Sequence, residues 1–137
     1  MSPTHVPGVP AGHEQLYAEW HIAPAVRVGD TLWCSGVIGT RPDGSVPADL
    51  DDELEQAFDN LAHVLQAAGA DLGDVVDLLT FHLDLAAQVP LFMRVRDRRL
   101  RGPWPTWTAI GAAQLGGGQP GVRVEIKATA VVDGAAS

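Results

Sequence analysis

The chain has 137 residues, of which 46% are apolar, and its 17 acidic and nine basic side chains give a formal net charge of −8 with histidine neutral. This length predicts one domain. The negative charge argues against nucleic-acid partners, because their affinity depends on many lysine and arginine contacts to phosphate. No segment approaches the roughly 20 apolar residues that span a membrane, so we expect a cytoplasmic protein without nucleic-acid or membrane partners. The lone cysteine, Cys34, fits a reducing compartment.

The chain changes character near residue 16. Residues 1–15 contain three prolines and no apolar run, and they predict an irregular arm before a single domain over residues 16–133. From Ala25 to Ile38, two short apolar runs flank Gly29-Asp30. Glycine at the first central position suits a type II′ turn, so this segment is predicted to form a β-hairpin.

The clearest helix signal follows a loop over residues 39–48. Asp49 and Asp51 can cap the start of this helix, where acidic residues also lie near the positive end of the helix dipole. The apolar residues that follow are spaced by four, three, four and three, which makes one apolar stripe: Leu54, Phe58, Leu61, Leu65 and Ala68. Gly69 then predicts a left-handed helix end.

The second half of the chain predicts three strands and one helix. Val75 to Leu85 is strand-like, a helix is predicted from Pro90 to about Leu100, and Gly102-Pro103 closes it. Two further strands, Thr106 to Leu115 and Val122 to Val132, complete the order β-β-α-β-α-β-β, an α+β domain. Two helices cover only one face of a sheet, so the other face favours self-association.

Glu125 is the leading candidate for acid–base chemistry. In the last predicted strand, polar residues alternate with apolar ones and share one face: Arg123, Glu125, Lys127 and Thr129. Such a row is typical of a solvated sheet surface. A carboxylate in this position can also orient water or transfer a proton, as general acid–base catalysis requires. The alternation leaves both interpretations open.

Other side chains also allow a structural or a functional interpretation. Cys34 is either a buried structural residue or a nucleophile, which would need an activating base. Ser35, which precedes Gly36, either binds a ligand or marks a bend. Trp104 and Trp107 start a predicted strand, where tryptophan lines a core, a subunit interface or an apolar pocket.

Neither a metal nor a phosphate-binding cofactor is predicted. Glycines 116–118 lack the lysine and hydroxyl of a phosphate-binding loop. The histidines lack metal-ligand spacing: His5, His13, His21, His63 and His82. Five of the nine basic residues fall between Arg94 and Arg101, which favours a solvated helix face.

Several segments resemble the RidA/YjgF family. The run from Ala25 to Ile38 resembles the early hairpin of that family. Four other segments also match: Asp59-Asn60-Leu61, residues 67–70, the strand around Val75 and residues 124–128. The similarity extends over roughly residues 22–132 in the same order.

The resemblance implies a chorismate-mutase-like α+β fold and a homotrimer with a pocket at each subunit interface. Family members hydrolyse reactive enamines and imines to ketones and ammonia without metal or cofactor. By position, the resemblance places seven residues at the pocket: Ser35, Val37, Trp107, Ala109 and Glu125, with Ile22 and Arg96 from nearby segments.

One position departs from the deaminating members of the family. Their strand opens Pro-Ala-Arg-Ser, and that arginine holds the substrate carboxylate, whereas this chain has Pro105-Thr106-Trp107-Thr108. The tryptophan, together with the segment of residues 16–19, is most similar to the YjgH-type branch. A 2-imino acid is therefore not the expected substrate.

These observations predict a cofactor-free hydrolase or lyase that acts on a small, rather apolar imine, enamine or related carbonyl compound. Glu125 would orient water or transfer the proton. Ser35 and backbone amides would hold a polar atom, while Trp107 and Trp104 would stack on the substrate. A trimer that binds a metabolite without turnover is the alternative, and an endoribonuclease would need a basic rim from Arg94 to Arg101.

Overall fold

The computed structural model describes residues 2–5 and 16–132 and folds them around one seven-stranded mixed sheet. The strands are β1 (Thr4–His5), β2 (Ala25–Val28), β3 (Thr31–Cys34), β4 (Val37–Ile38), β5 (Val75–His82), β6 (Thr106–Gly111) and β7 (Val124–Val131). Their spatial order is β1-β2-β3-β7-β5-β6, with β4 also paired to β7. Among the described strands, only β5 and β6 pair in parallel. The predicted order of β-β-α-β-α-β-β is present, with β1 and β4 as short additions.

The predicted irregular arm contributes β1, whose Thr4 pairs with Arg27 of β2. The rest of that arm, residues 6–15, lies outside the described residues, as does Asp133, the last residue of the predicted domain. A π-helical turn, Leu16–Trp20, follows the undescribed segment.

The predicted hairpin is confirmed for β2 and β3. Val28 pairs with Thr31 across the turn, and Gly29 has a φ of 59°, the left-handed value that the first position of a type II′ turn requires. The strand does not run on to Ile38, because the chain breaks pairing at Ser35 and Gly36 and resumes as β4. This break lies beside β7, inside the sheet, and the candidate site lies next to it.

The first helix, α1 (Leu50–Ala67), agrees with the prediction. The Asp49 side chain accepts a hydrogen bond from the Asp51 amide, and Gly69 ends the helix with a φ of 82°. The buried face of α1 includes Phe58, whose ring centroid lies 5.8 Å from that of Phe92 on the second helix.

The second helix, α2 (Leu85–Arg99), begins five residues before the predicted start at Pro90. The prediction treated proline as the first helical residue, its preferred position. Pro90 is instead the sixth residue of α2. Because proline has no N–H group, the carbonyl of Ala86 in the first turn lacks its usual helical hydrogen bond. None of the helices in the described ranges is long and apolar enough to cross a membrane.

Several predicted strand boundaries are wrong. β5 ends at His82 rather than Leu85, because Leu85 is the first residue of α2. β6 ends at Gly111 rather than Leu115. β7 starts at Val124, two residues later than predicted. Arg123, just before β7, pairs its guanidinium with the buried carboxylate of Glu53 and is no part of a solvated row.

The two faces of the sheet differ. The β7 alternation is confirmed: Val124, Ile126, Ala128 and Ala130 are buried under the helices. In the described part of the chain, neither α1 nor α2 covers the opposite face, which exposes large apolar side chains, including Trp33, Ile110 and Val131.

Candidate active site

A cleft of about 1090 Å³ opens where β3 breaks into β4. Its walls come from the turn of residues 16–20, the Ser35-Gly36 break, the loop at Gly116-Gly117 and one side of α1. Among the predicted site residues, Glu125, Ser35, Val37 and Ile22 line this cleft.

The carboxylate of Glu125 accepts a hydrogen bond in the cleft and lies against Gly36. Its Oε1 accepts a hydrogen bond from the Gly116 amide at 3.3 Å. Its Oε2 occupies space that a side chain at residue 36 would need, since a Cβ built on Gly36 would lie 2.4 Å from that oxygen. Glu125 therefore has a defined place beside the strand break.

Ser35 is oriented by the backbone that precedes β2. Its hydroxyl donates to the Ala23 carbonyl at 2.7 Å, and its amide donates to the Pro24 carbonyl at 2.9 Å. Because the hydroxyl proton is already used, the Ser35 oxygen offers a ligand an acceptor and no donor. This narrows the predicted role of Ser35 to accepting a hydrogen bond.

Lys127, which was not predicted as a site residue, lines the cleft on the same face as Glu125. Its Nζ donates to the Cys34 carbonyl at 2.7 Å. The alternation along β7 already placed it beside Glu125, and that was the signal available in the sequence. Burial raises the pKa of the Cys34 thiol to about 11, although the charge of Lys127 acts in the opposite direction. A protonated, buried thiol favours the structural interpretation of Cys34.

Trp107, Trp104 and Arg96 form a second group. The Arg96 guanidinium carbon lies 4.9 Å from the Trp107 ring centroid and 5.5 Å from that of Trp104, within the range of a cation–π interaction. Phe92 stacks on Trp107 with centroids 5.5 Å apart. Arg96 also pairs with Asp97 at 2.9 Å.

A buried chain of hydrogen bonds fixes the Trp107 indole. The Gln88 amide nitrogen donates to the carbonyls of Leu83 and Arg123, so the Gln88 side-chain oxygen accepts from His82 Nδ1. Burial lowers the pKa of His82 despite its hydrogen bond to Gln88, which leaves a neutral ring with Nε2 as acceptor. The Thr80 hydroxyl therefore donates to Nε2 and accepts from Trp107 Nε1, at 2.7 and 2.9 Å.

The comparisons with known proteins agree with this architecture. The chain matches the protein-family model described as Endoribonuclease L-PSP over residues 13–132. RutC family protein YjgH of Escherichia coli K12 is 40% identical over 109 residues, which are 79% of this chain and 83% of that protein. The chain belongs to this family, the RidA/YjgF family.

Two solved structures and a second relative extend the likeness. A structure of protein YjgH superposes with a TM-score of 0.82 at 38% identity and covers 96% of this chain and 98% of that one. Escherichia coli TdcF with bound serine gives a TM-score of 0.68 at 27% identity over 81% and 87% of the two chains. A 2-iminobutanoate/2-iminopropanoate deaminase of Dermatophagoides farinae is 31% identical over 97% of this chain and its own full length. The α+β fold predicted from the RidA/YjgF resemblance is confirmed.

Within one chain of this RidA/YjgF protein, the predicted site residues fall on opposite faces of the sheet. Trp107 and Ala109 are in register with Leu78 and Thr80, whose side chains are buried under the helices. Glu125 alternates with buried β7 residues and points to the other face. The chain therefore brings together Glu125, Ser35, Val37 and Ile22, and it keeps Trp107, Ala109, Trp104 and Arg96 apart from them.

Two further residues shape the cleft and were missed as site residues. The Asn60 side-chain amide of α1 donates to the carbonyls of Ile38 and Thr40, both at 2.8 Å, and so ties β4 to the helix. Trp20, which is 57% exposed, lines the cleft from the N-terminal turn. Asn60 could have been noted as a polar residue beside the apolar stripe of α1, whereas no sequence pattern places Trp20 near Glu125.

Proposed function

We propose that this RidA/YjgF protein is a cofactor-free hydrolase or lyase of small, rather apolar imines, enamines or related carbonyl compounds. The observation that carries the proposal is the Glu125 carboxylate, held in an open cleft by the Gly116 amide and given room by Gly36. The relatives named as imine deaminases support the reaction class.

In the proposed reaction, water adds to the carbon of the C=N bond while the Glu125 carboxylate accepts a proton from it. The same group returns the proton to nitrogen. The proton of the new hydroxyl group is then transferred through Glu125 to nitrogen, so that nitrogen leaves as ammonia or an amine and the C=O bond forms as the tetrahedral adduct collapses. The Ser35 hydroxyl already donates its hydrogen bond to the Ala23 carbonyl, so its oxygen would accept a hydrogen bond from the substrate nitrogen.

We also propose that the protein works as a homotrimer whose pockets lie between subunits. The uncovered sheet face, with exposed Trp33, Ile110 and Val131, supports an interface there. A neighbouring subunit would bring its Trp107 group to the Glu125 cleft and so join the two halves that one chain keeps apart. Light scattering after size exclusion at micromolar concentration should return a trimer, and a monomer would contradict this arrangement.

A binding module is the second candidate, favoured by the solved structure of TdcF with bound serine. In that case the same pocket would hold a metabolite without turnover. The cytoplasmic location and the absence of a cofactor stay predictions in either case.

An endoribonuclease, the activity in the description of the matching family model, is less well supported. It would need a basic rim on α2, but three of its arginines are engaged in ion pairs. Arg96 pairs with Asp97, Arg98 pairs with Asp51, and Arg99 pairs with Asp59. These pairs neutralise much of the charge that phosphate binding would require.

A thermal-shift screen of a metabolite panel, followed by product analysis of each hit, tests the proposal, because ligands of the native state raise apparent stability. Glu125→Gln should leave the fold intact and lower turnover about 100-fold or more. Asp52→Asn, an exposed carboxylate outside the cleft, is the matched control. Binding without consumption of any hit would favour the binding module, and normal turnover by Glu125→Gln would return Glu125 to a surface role.

A further inference from the structure

The loop of Gly116 and Gly117 contacts both the Glu125 carboxylate and the Trp20 ring. The Gly116 amide donates to Glu125 Oε1. A Cβ built on the next residue, Gly117, would lie 2.6 Å from Cη2 and 2.9 Å from Cζ3 of Trp20. The six-membered ring of this indole therefore packs one residue along the chain from the amide that binds the carboxylate, and both side chains line the same cleft.

The backbone at this point accommodates the indole. Gly116 and Gly117 have φ values of 61° and 68°, a conformation that other residues rarely adopt. Any side chain at Gly117 would also collide with the Trp20 ring. The edge of the ring thus packs on bare backbone, while Trp20 remains 57% exposed and lines the cleft.

Trp20 is the one tryptophan of the four that lines this cleft, and all four lie in the described part of the chain. The Trp107 ring is already stacked on Phe92, and its N–H is committed to Thr80. Trp104 lies against Arg96, and Trp33 is on the uncovered sheet face. Within one chain, the tryptophan surface that lines the Glu125 cleft therefore belongs to Trp20.

We infer that Trp20 determines specificity by stacking on a flat, unsaturated group of the substrate next to the reacting C=N bond. The preferred substrates are then imines or enamines conjugated to an aromatic ring or a similar planar group. Leu16 and Ile22, which also line the cleft, extend the apolar wall. The identity of the reacting group rests on the proposed function, whereas the stacking surface rests on the geometry of Trp20.

Two stable carboxamides of equal size test the inference without requiring turnover. Benzamide and cyclohexanecarboxamide carry the same planar amide and differ in the flatness of the ring. Equilibrium titration followed by NMR should give a lower Kd for benzamide with the unmodified protein. Trp20→Ala should weaken benzamide binding about three- to tenfold, the range typical of aromatic stacking, and leave cyclohexanecarboxamide nearly unchanged.

Tyr17→Ala is the matched control, since Tyr17 lies on the same turn, is 54% exposed and does not line the cleft. It should preserve the preference, and Trp20→Phe should restore most of it. Equal affinity for both carboxamides, or no binding of benzamide, would overturn the inference. A changed oligomer mass in Trp20→Ala would also overturn it and mark Trp20 as a subunit contact. If imines are not hydrolysed but the benzamide preference depends on Trp20, the proposed reaction fails while the stacking role stands.

Discussion

Gly36 and Glu125 are complementary: a Cβ on Gly36 would lie 2.4 Å from Oε2 of the carboxylate and 3.0 Å from its carbon. Gly36→Ala should therefore displace the carboxylate while leaving a backbone that any residue can adopt. A displacement of about 1 Å in a reacting group can cost about 100-fold in rate. We expect a loss of that order in turnover, with a small change in the free energy of unfolding measured by denaturant titration.

Gly111→Ala controls for the loss of a glycine, because its Cβ would meet Leu85 at an ordinary 3.7 Å. That variant should keep both activity and stability. Full activity in Gly36→Ala would mean that the carboxylate position is not critical for turnover.

Thr80 is the central link of the buried hydrogen-bond chain, since it accepts from Trp107 and donates to His82. Thr80→Val keeps the shape of the side chain but leaves the His82 nitrogen buried without its donor. Such an unpaired group costs about 1 to 3 kcal/mol in the free energy of unfolding. Thr108→Val, on the exposed face of β6, should cost much less. Equal decreases in the free energy of unfolding of the two variants, measured by urea unfolding, would show that the buried hydrogen bonds of Thr80 add no stability.

His82 makes stability depend on pH in a direction set by its burial. Because its pKa is lowered in the folded state, the unfolded chain binds a proton first as the pH falls. Stability from His82 is complete above about pH 6.5, the usual histidine value, and decreases as the pH falls toward the folded-state pKa. The free energy of unfolding should therefore fall between pH 7.5 and pH 5, and by less in His82→Gln. His63→Gln, which alters an exposed histidine, should keep the original slope. If the free energy of unfolding of His82→Gln depended on pH as steeply as that of the unmodified protein, His82 would not be the source of this pH dependence.

Much of the fold follows from patterns along the chain. The apolar stripe and the caps predicted α1, and the two-residue alternation predicted which face of β7 is buried. The start of α2 was missed because Pro90 is tolerated inside the first turns when the packing of Phe92 and Val95 stabilises the helix. Tertiary packing overrides a local signal in this case.

The candidate site was less predictable than the fold. Its cleft depends on a strand break at Ser35-Gly36 and on a contact between Gly117 and Trp20, which is 97 residues away in sequence. Local periodicity carries no information about such a contact. The family resemblance implied that Glu125 and Trp107 share one pocket, whereas the single chain places them on opposite faces of the sheet, so a shared pocket depends on the proposed trimer.

This chain has Trp107 where the deaminating family members have an arginine, and this difference predicts poor activity toward 2-imino acids. An arginine binds a carboxylate through two charge-assisted hydrogen bonds, whereas tryptophan has one N–H donor. That donor is bound to Thr80 at 2.9 Å and is not available to a ligand. Arg96 is the residue that can substitute, because its guanidinium lies 4.9 Å from the Trp107 ring, but it already pairs with Asp97.

We therefore expect slow hydrolysis of 2-iminopropanoate or 2-aminoacrylate and faster hydrolysis of neutral or aromatic imines. The imino acid can be generated in place by an amino-acid oxidase acting on alanine, or by a dehydratase, and its decay followed with and without the protein. A site that pairs a substrate carboxylate discriminates strongly, because a missing partner leaves buried charge unsatisfied. Decay as fast as with an arginine-bearing relative would contradict the prediction. If Arg96→Ala then abolished that activity, Arg96 would be identified as the substitute anchor for the carboxylate.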